Sequence, residues 1–231
     1  MSDLVLALDT TREAGSLALT DGEQTVGEVS LRTPDGFGQL LFQRLQELLD
    51  SAQVKLPDCR VFAAASGPGS FTGVRIGLAC IKGLAEVLGR PAYGVSNLEA
   101  LAEFGHAASR VPVIDARRGE VYAAVYGREP RQEMVTSFGS LLASLPSTGV
   151  EFIGTDSAGL RALLAGTRFE PAVVTAAPPE QAAAIARLAW RRFQAGLAGD
   201  AASIEPNYVR RSDAEMLRMG PVGEGGCAIL I

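Results

Sequence analysis

SGPGSFTGVRIGLA, residues 66–79, is the stretch that decides the fold of this 231-residue chain. It follows an apolar, strand-like run at Val61–Ala65 and leads into a long apolar segment with helical spacing. A strand, a glycine-rich turn and a helix in that order often present backbone N–H groups to an anion or a partner. The turn lacks the Gly-Lys-Ser/Thr ending of a P-loop, and Pro68 has no N–H group, so a Walker-type phosphate cradle is excluded. Helix capping by Ser70 or Thr72 is the simpler alternative.

The helix predicted after this turn carries few polar residues. Two stripes run along it, one of apolar side chains and one of small side chains. The first comprises Val74, Leu78, Ile81, Ala85 and Leu88, and the second comprises Gly73, Gly77 and Cys80. A helix that is apolar over most of its circumference is buried on two sides, and each interior glycine costs roughly 1 kcal/mol relative to alanine. We therefore expect a helix of another protein on one side, with an internal neighbour such as the Leu40–Leu49 helix as the alternative.

Composition indicates a chain with a sizeable core and no covalent staples. Apolar residues make up 47% of the sequence, and the net charge is −5. That charge argues against direct tight binding of nucleic acid, because phosphate contacts need clustered Lys and Arg. The cysteines are odd in number and form no C-x-x-C pair, which fits a reducing compartment and gives no zinc signature. They are Cys59, Cys80 and Cys227.

The sequence predicts neither a leader nor a membrane span. A strand-like run starts at Leu4, so we expect no signal peptide. No run of about 18 apolar residues is present, so we expect no transmembrane helix and no membrane contact. The expected location is the cytoplasm.

Local patterns predict the elements that flank these motifs. Short apolar runs bounded by turn residues indicate strands, and apolar residues at helical spacing indicate helices. The predicted strands are Leu4–Leu8, Gly15–Leu19, Thr25–Leu31, Val61–Ala65, Val121–Tyr126 and Val150–Gly154. The other predicted helices are Leu40–Leu49, Asn97–Phe104, Ser157–Leu164 and one that starts at Pro178–Glu180 and runs to about Ala195. Pro206–Arg211 is predicted to be extended, and the tail at Gly220–Ile231 has no assignment.

A weak internal repeat relates the two halves of the chain. Val113–Arg118 aligns without a gap against Ala7–Arg12, and Val121–Tyr126 then matches Gly15–Thr20. Each copy is a strand ending in Asp, a turn and a second strand, although that arrangement is also common by chance. The repeat suggests two lobes of similar topology. We place them at residues 1–109 and 110–231, with the C-terminal segment able to pack back on the first lobe.

Asp9 and Asp115 end the first strand of each copy. Two such carboxylates could hold a metal–nucleotide between the lobes, and hydroxyl groups at Thr10 and Thr11 would suit phosphate contact. The second copy has Ala116 and Arg117 in their place, so we interpret the two turns as vestigial phosphate loops. Their residues are Asp9, Thr10, Thr11, Asp115, Arg117 and Arg118. An Asp that closes a turn by hydrogen bonding to the backbone is the alternative.

Residues for independent catalysis are scarce. His106 is the only histidine and lies at a predicted helix end, where a solvated side chain is expected. One His without paired cysteines does not support a zinc site. The nearest match to G-x-S-x-G, Pro68–Thr72, fails at both flanking glycines, so serine hydrolase chemistry is poorly supported. We expect no metal, no cofactor and no catalytic residue.

At these motifs the chain resembles the TsaB family of bacteria. The matching segments are Leu8–Thr11, Gly67–Ala79, Lys82–Ala85, Gly94–Leu101, Asp115–Tyr122 and Tyr208–Glu215. The resemblance implies a duplicated actin-like ATPase fold of the ribonuclease H-like type, with two lobes that each contain a mixed sheet flanked by helices. It also implies a role in forming threonylcarbamoyl-adenosine in tRNA. In that family the protein is a non-catalytic partner of TsaD, which holds the metal and transfers the threonylcarbamoyl group; the ATPase TsaE joins the pair, and tRNA is reached only through the complex.

The resemblance also implies where the partner binds. The family's contact to TsaD is a helix bundle of N-terminal lobes, and the Gly73–Leu88 helix matches that element. The expected contact residues are Gly67, Pro68, Gly69, Ser70, Phe71, Thr72, Gly73, Val74, Arg75, Gly77, Leu78, Cys80, Ile81 and Lys82. Alone, such a helix could self-pair in a symmetric homodimer, and we expect Gly77→Leu to abolish association while leaving the lobe folded.

The chain departs from the family pattern at one place. Many relatives carry a histidine near Gly36–Gln39, and this chain has none there. The departure removes the last candidate for a vestigial metal ligand. The leading hypothesis is therefore a non-catalytic scaffold subunit. An independent nucleotide-dependent ATPase or kinase, with Asp9 and Asp115 at the phosphates, is the second, and a peptidase is the poorest fit.

Overall fold

The structure is a computed structural model that describes residues 2–32, 37, 40–127 and 132–209. The described part of the first half contains β1 Leu4–Asp9, β2 Gly15–Asp21, β3 Gln24–Leu31, α1 Leu40–Ser51, a 3-10 turn at Leu56–Asp58, β4 Val61–Gly67, α2 Phe71–Leu88, β5 Ala92–Ser96 and α3 Asn97–Ala102. The second half contains β6 Ser109–Arg117, β7 Glu120–Ala123, β8 Met134–Ser137, α4 Phe138–Ser144, β9 Val150–Gly154, α5 Ser157–Leu164, β10 Val173–Ala176 and α6 Ala182–Gln194.

Two sheets with the same connectivity confirm the duplicated fold. The strand orders within the described residues are β3-β2-β1-β4-β5 and β8-β7-β6-β9-β10. β1 pairs antiparallel with β2 and parallel with β4, and β6 does the same with β7 and β9. One helix follows the third, fourth and fifth strand of each copy. The predicted mixed sheets flanked by helices are therefore present in both lobes.

The second copy of the repeat is shorter by one residue at its turn. Asp9 pairs with Ser16 across β1 and β2, whereas Asp115 pairs with Val121 across β6 and β7. Val121 is thus the counterpart of Ser16, not of Gly15 as the ungapped alignment predicts. The pairing register shifts between Asp115 and Arg117, which is where the turn absorbs the missing residue.

Several short elements have no counterpart among the sequence predictions. They are β5, β8, α4 and β10. β8 and β10 are edge strands of four residues, and neither shows the apolar run of a buried strand. The predicted helix at Pro178 begins only at Ala182, because the N–H groups of Gln181 and Ala182 donate to the Ser16 hydroxyl on the first sheet.

Each sheet is covered by helices on both faces, and one covering helix comes from the other half of the chain. α1 and α2 pack on one face of the first sheet, and α6 packs on the opposite face through Ile185, Ala189 and Trp190. α3 leaves the first sheet and packs on the second, where Leu98 meets Ala124. The sheets therefore divide near Ser109, but the helices cross that boundary. No helix in the described ranges has both the length and the hydropathy to cross a bilayer.

Candidate functional site

The turn after β1 is buried and closed by its own hydrogen bonds. The Asp9 carboxylate accepts from the N–H and the hydroxyl of Thr11 at 2.9 and 2.6 Å, and the Asn97 amide donates to the Thr11 hydroxyl at 2.8 Å. The Thr10 hydroxyl donates to the Gly73 carbonyl at 2.7 Å. Asp9, Thr10, Thr11 and Asn97 are each at most 1% exposed. The hydroxyl groups predicted to suit phosphate are thus engaged inside the lobe.

The glycines of α2 make room for that turn. A Cβ atom on Gly73 would lie 1.9 Å from the Thr10 carbonyl oxygen, and one on Gly77 would lie 2.6 Å from the Thr10 hydroxyl. The Ser70 N–H donates to the Thr11 carbonyl at 2.7 Å. The small stripe at Gly73 and Gly77 is therefore explained by a close approach within the lobe. The packing argues against the expectation that Gly77→Leu leaves the lobe folded, because a larger side chain at this position would displace the Thr10 hydroxyl.

α2 has one buried face and one exposed face. Ser70 caps it as predicted, accepting from the Gly73 N–H at 3.2 Å. The buried face holds Gly73, Val74, Gly77, Leu78, Ile81 and Ala85. The exposed face holds Phe71, Thr72, Arg75, Ala79, Gly83, Glu86 and Val87, with Ile76 and Cys80 half-buried at its edge. Val87 is 85% exposed, so a large part of the outer face is small or apolar surface in contact with water.

The expected contact residues thus fall into two groups. Gly73, Val74, Gly77, Leu78 and Ile81 belong to the core of their own lobe. Phe71, Thr72, Arg75 and Cys80 reach the surface. Burial raises the pKa of the Cys80 thiol to about 11, so at neutral pH this side chain is a small uncharged group beside the exposed face.

A C-terminal strap, residues 199–208, runs along β5 and α2. The Lys82 ammonium donates to the carbonyls of Ala202 and Ile204 at 3.2 and 2.8 Å. The Asn207 N–H donates to the Ser66 carbonyl at 2.7 Å, beside the glycine turn. Lys82, expected to contact a partner, therefore anchors a segment of its own chain. The resemblance segment Tyr208–Glu215 and the tail Gly220–Ile231 extend beyond Val209, so apart from Tyr208 and Val209 they lie outside the described residues, as does Gly36.

Three side chains join the strap to the first two turns of α2. The rings of Phe71 and Tyr208 stack with centroids 5.4 Å apart, and the Arg75 guanidinium lies 3.7 Å from the Phe71 centroid. Arg75 Nε donates to the Tyr208 hydroxyl at 3.0 Å. Sequence reasoning missed this contact and the role of Asn97. The sequence offers one signal for the contact, which is Tyr208, a single aromatic residue within the polar stretch Pro206–Arg211.

The corresponding turn of the second lobe is open to solvent. Asp115 is exposed and accepts from the Arg117 N–H at 2.8 Å. Arg117, Arg118 and Gly119 have φ values of 66°, 57° and 79°, in the left-handed region. An Asp that closes a turn by bonding to the backbone, the simpler alternative for this position, describes what is observed. The two turns predicted as phosphate loops are therefore different, one sealed and one exposed.

A cleft of about 1010 Å³ separates the two turns. Its first wall includes Arg12 and Ser70, and its second wall includes Asp115, Arg117 and Asp156. Arg12 approaches the Asp9 carboxylate at 3.6 Å, so part of its charge is balanced within the first wall. No group of three or more His, Cys, Asp or Glu side chains able to hold a metal ion occurs among the described residues. His106 is exposed, as predicted, and does not line the cleft.

Comparison with known proteins gives one family and several relatives. The family described as TsaD, tRNA N6-adenosine threonylcarbamoyltransferase, matches residues 37–217. The tRNA threonylcarbamoyladenosine biosynthesis protein TsaB of Escherichia coli is 42% identical over 130 residues, which are 54% of this chain and 55% of the relative. The Haemophilus influenzae protein of the same name is 37% identical over 141 residues, 58% of this chain and 57% of the relative. The match therefore spans about half the length of these curated relatives.

A solved structure extends the likeness over most of the chain. YeaZ from Pseudomonas aeruginosa has a TM-score of 0.74 and 29% sequence identity, and it covers 89% of this chain and 99% of its own. The shared architecture includes both lobes, since no single lobe accounts for that coverage.

Proposed function

This chain belongs to the TsaD family of tRNA N6-adenosine threonylcarbamoyltransferases, and from that premise we propose that it is a non-catalytic subunit that binds and activates a TsaD-like partner. The predicted resemblance to TsaB is confirmed by relatives of that name, which are described as tRNA threonylcarbamoyladenosine biosynthesis proteins. The proposed role of this chain is in the same modification.

The observation that carries the proposal is the sealed turn after β1. In an ATPase of two lobes this turn would offer carboxylate and hydroxyl groups to a metal–nucleotide. Here the Asp9 carboxylate, the Thr10 hydroxyl and the Thr11 hydroxyl are buried and bonded to the same lobe. Breaking these bonds without replacement would cost about 1–3 kcal/mol for each buried group. Such a turn supports a structural role for the lobe.

The exposed face of α2 supplies the proposed docking surface. Small residues at Ala79 and Gly83 let a second helix approach closely, and Phe71 and Val87 offer apolar area at 45% and 85% exposure. Burying exposed apolar surface is favourable by roughly 25 cal/mol per Å². A helix in a groove or bundle is the mode of recognition that such a face suits.

The remaining parts of the proposal concern the assembly. A TsaE-like ATPase joins the pair, tRNA is reached only through the complex, and the protein acts in the cytoplasm. Alone, the chain forms a homodimer through the same face of α2.

Association with a TsaD-type protein from the same organism tests the proposal. We expect the two proteins to co-elute from a size-exclusion column. Gly83→Arg should abolish the complex, because it places a long charged side chain on the docking surface. No atom lies within 4 Å of the Cβ position at Gly83, so we expect the variant itself to fold. Gly139→Arg is the matched control, since Gly139 is an exposed, uncrowded helical glycine on the second lobe. The proposal fails if wild-type protein forms no complex and deletion of the gene leaves threonylcarbamoyl-adenosine in tRNA unchanged by mass spectrometry.

A nucleotide-dependent ATPase or kinase is the second candidate, and the cleft favours it. Its volume suits a drug-sized ligand, and the Asp115 turn opens to it. Calorimetry with ATP and Mg²⁺ separates the candidates. Micromolar binding that is lost in Asp9→Ala or Asp115→Ala would favour the ATPase, whereas we expect no binding because the first turn is sealed.

A further inference from the structure

We propose that Arg75 is a preorganised carboxylate-binding site on the exposed face of α2, which pairs with an Asp or Glu side chain on a helix of the partner protein. The inference deepens the proposed docking function and rests on it.

The Arg75 guanidinium is held in one orientation by two contacts. Its Cζ atom lies 3.7 Å from the centroid of the Phe71 ring, and its Nε donates to the Tyr208 hydroxyl at 3.0 Å. Tyr208 is itself fixed because its ring stacks on Phe71. An exposed arginine normally samples many rotamers, and ordering it on binding costs roughly 0.5–1.5 kcal/mol. In this chain the contacts with Phe71 and Tyr208 already order the Arg75 side chain, so most of that free-energy cost does not fall on binding.

The contacts leave the outer edge of the guanidinium available. Nε is used by Tyr208, whereas the Nη1 and Nη2 groups have no hydrogen-bond acceptor among residues 2–32, 37, 40–127 and 132–209. Two parallel N–H groups in a planar fork match the two oxygens of a carboxylate. A phosphate would also fit a single fork, but the apolar surroundings described next favour a protein side chain.

The surroundings of Arg75 specify the kind of partner. The exposed face carries only two charged residues in its described length, Arg75 in the second turn and Glu86 near the other end. Lys82 lies at the margin, and its ammonium is occupied by carbonyls of the strap. A complementary helix is therefore apolar and small along its middle and acidic where it meets the first turns of α2. Arginines surrounded by apolar contact are typical hot spots of interfaces.

The test measures the affinity of full-length variants for a purified TsaD-type protein by calorimetry. We expect Arg75→Gln to weaken binding by about tenfold or more. Arg75→Lys keeps the charge but loses the fork, so it is expected to fall close to Arg75→Gln. Tyr208→Phe keeps the stack and loses only the bond to Nε, so a smaller loss is expected. Arg187→Gln, on α6 across the sheet, is the control and is expected to leave the affinity unchanged.

A double-mutant cycle identifies the carboxylate. Exposed Asp and Glu residues of the TsaD-type protein are changed singly to Asn or Gln, and one of them is expected to lose its effect in the Arg75→Gln background. That coupling would support the proposal directly.

Three results would overturn it. If Gly83→Arg abolishes binding while Arg75→Gln stays within about twofold of wild type, docking stands and the Arg75 site does not. If Arg75 matters only for self-association and Glu86→Gln has the same effect, the carboxylate belongs to a second copy. If ending the chain after Val209 removes the effect of Arg75→Gln, the acceptor belongs to this chain's own residues 210–231. Absence of any wild-type binding would instead refute the proposed function together with the inference.

Discussion

Gly73 and Gly83 lie on the same helix, yet replacing each with alanine should change stability in opposite directions. A methyl group on Gly73 would lie 1.9 Å from the Thr10 carbonyl oxygen, and a carbon–oxygen contact needs about 3.3 Å, so the turn must move by about 1.4 Å. That movement breaks the bond from the Thr10 hydroxyl to the Gly73 carbonyl, which is 2.7 Å long. Overpacking costs about 1–3 kcal/mol and the lost bond about 1 kcal/mol, so we expect Gly73→Ala to destabilise the protein by about 3 kcal/mol.

Gly83 is exposed, and no atom lies within 4 Å of the Cβ atom that Gly83→Ala would add. Alanine is favoured over glycine in a helix interior by about 1 kcal/mol, so this variant should be more stable than wild type. For a chain of this size 1 kcal/mol moves the Tm by roughly 2–4 °C. Calorimetric melting should therefore show Gly73→Ala roughly 6–12 °C below wild type and Gly83→Ala roughly 2–4 °C above it. Shifts of the same sign, or an unchanged Tm for Gly73→Ala, would refute the argument that the small stripe serves packing within the lobe.

Three further substitutions test other parts of the structure. Asn97→Ala should lower the free energy of unfolding in urea by about 2–3 kcal/mol, because it leaves the buried Gly67 N–H without its acceptor and removes the bond that the Asn97 amide donates to the Thr11 hydroxyl; a loss under about 0.5 kcal/mol would contradict the closed network. Lys82→Met should speed amide hydrogen exchange in the strap while leaving β1 and β4 protected, since the ammonium holds two strap carbonyls; unchanged exchange would show that the apolar contacts suffice. Burial raises the pKa of Glu151, but hydrogen bonds from the Thr175 hydroxyl and from two backbone N–H groups outweigh it, so the pKa lies below the ordinary value of a glutamate side chain. Its stabilising contribution is present above that value and is lost as the pH falls through the folded pKa; stability measured from neutral to acid pH should therefore fall less steeply in Glu151→Gln than in wild type, and parallel curves would count against the assignment.

The duplicated architecture could be predicted because the repeat lies in local sequence. Strand, Asp and turn recur at Asp9 and Asp115, and the apolar runs that flank them are long enough to indicate buried strands. The one-residue offset at Val121 could not be predicted, because the pairing register depends on a bulge that leaves no mark in the hydrophobic pattern. Short edge strands such as Met134–Ser137 could not be predicted from the hydrophobic pattern either, since they are only half-buried and show no alternation of apolar and polar residues.

The site shows the same division between local and long-range information. The apolar stripe of α2 follows helical spacing, and its members Val74, Leu78, Ile81 and Ala85 are buried as expected. Whether the glycines beside it face a partner or the same chain depends on Thr10, which is 63 residues away from Gly73. Tyr208 contacts Arg75 over a still longer separation. No local pattern encodes such contacts, so both had to be read from the folded chain.

The crossing of α6 has a consequence for how the protein is made. The face of the first sheet that contains Val5, Ala7 and Val61 is fully buried only because α6, residues 182–194, lies on it. On the ribosome, these strands are synthesised well over a hundred residues before the helix that covers them. The N-terminal lobe therefore cannot complete its folding as an independent unit during translation. An apolar sheet face of the first lobe therefore stays uncovered until α6 emerges, and we expect chaperones to bind the nascent chain until then.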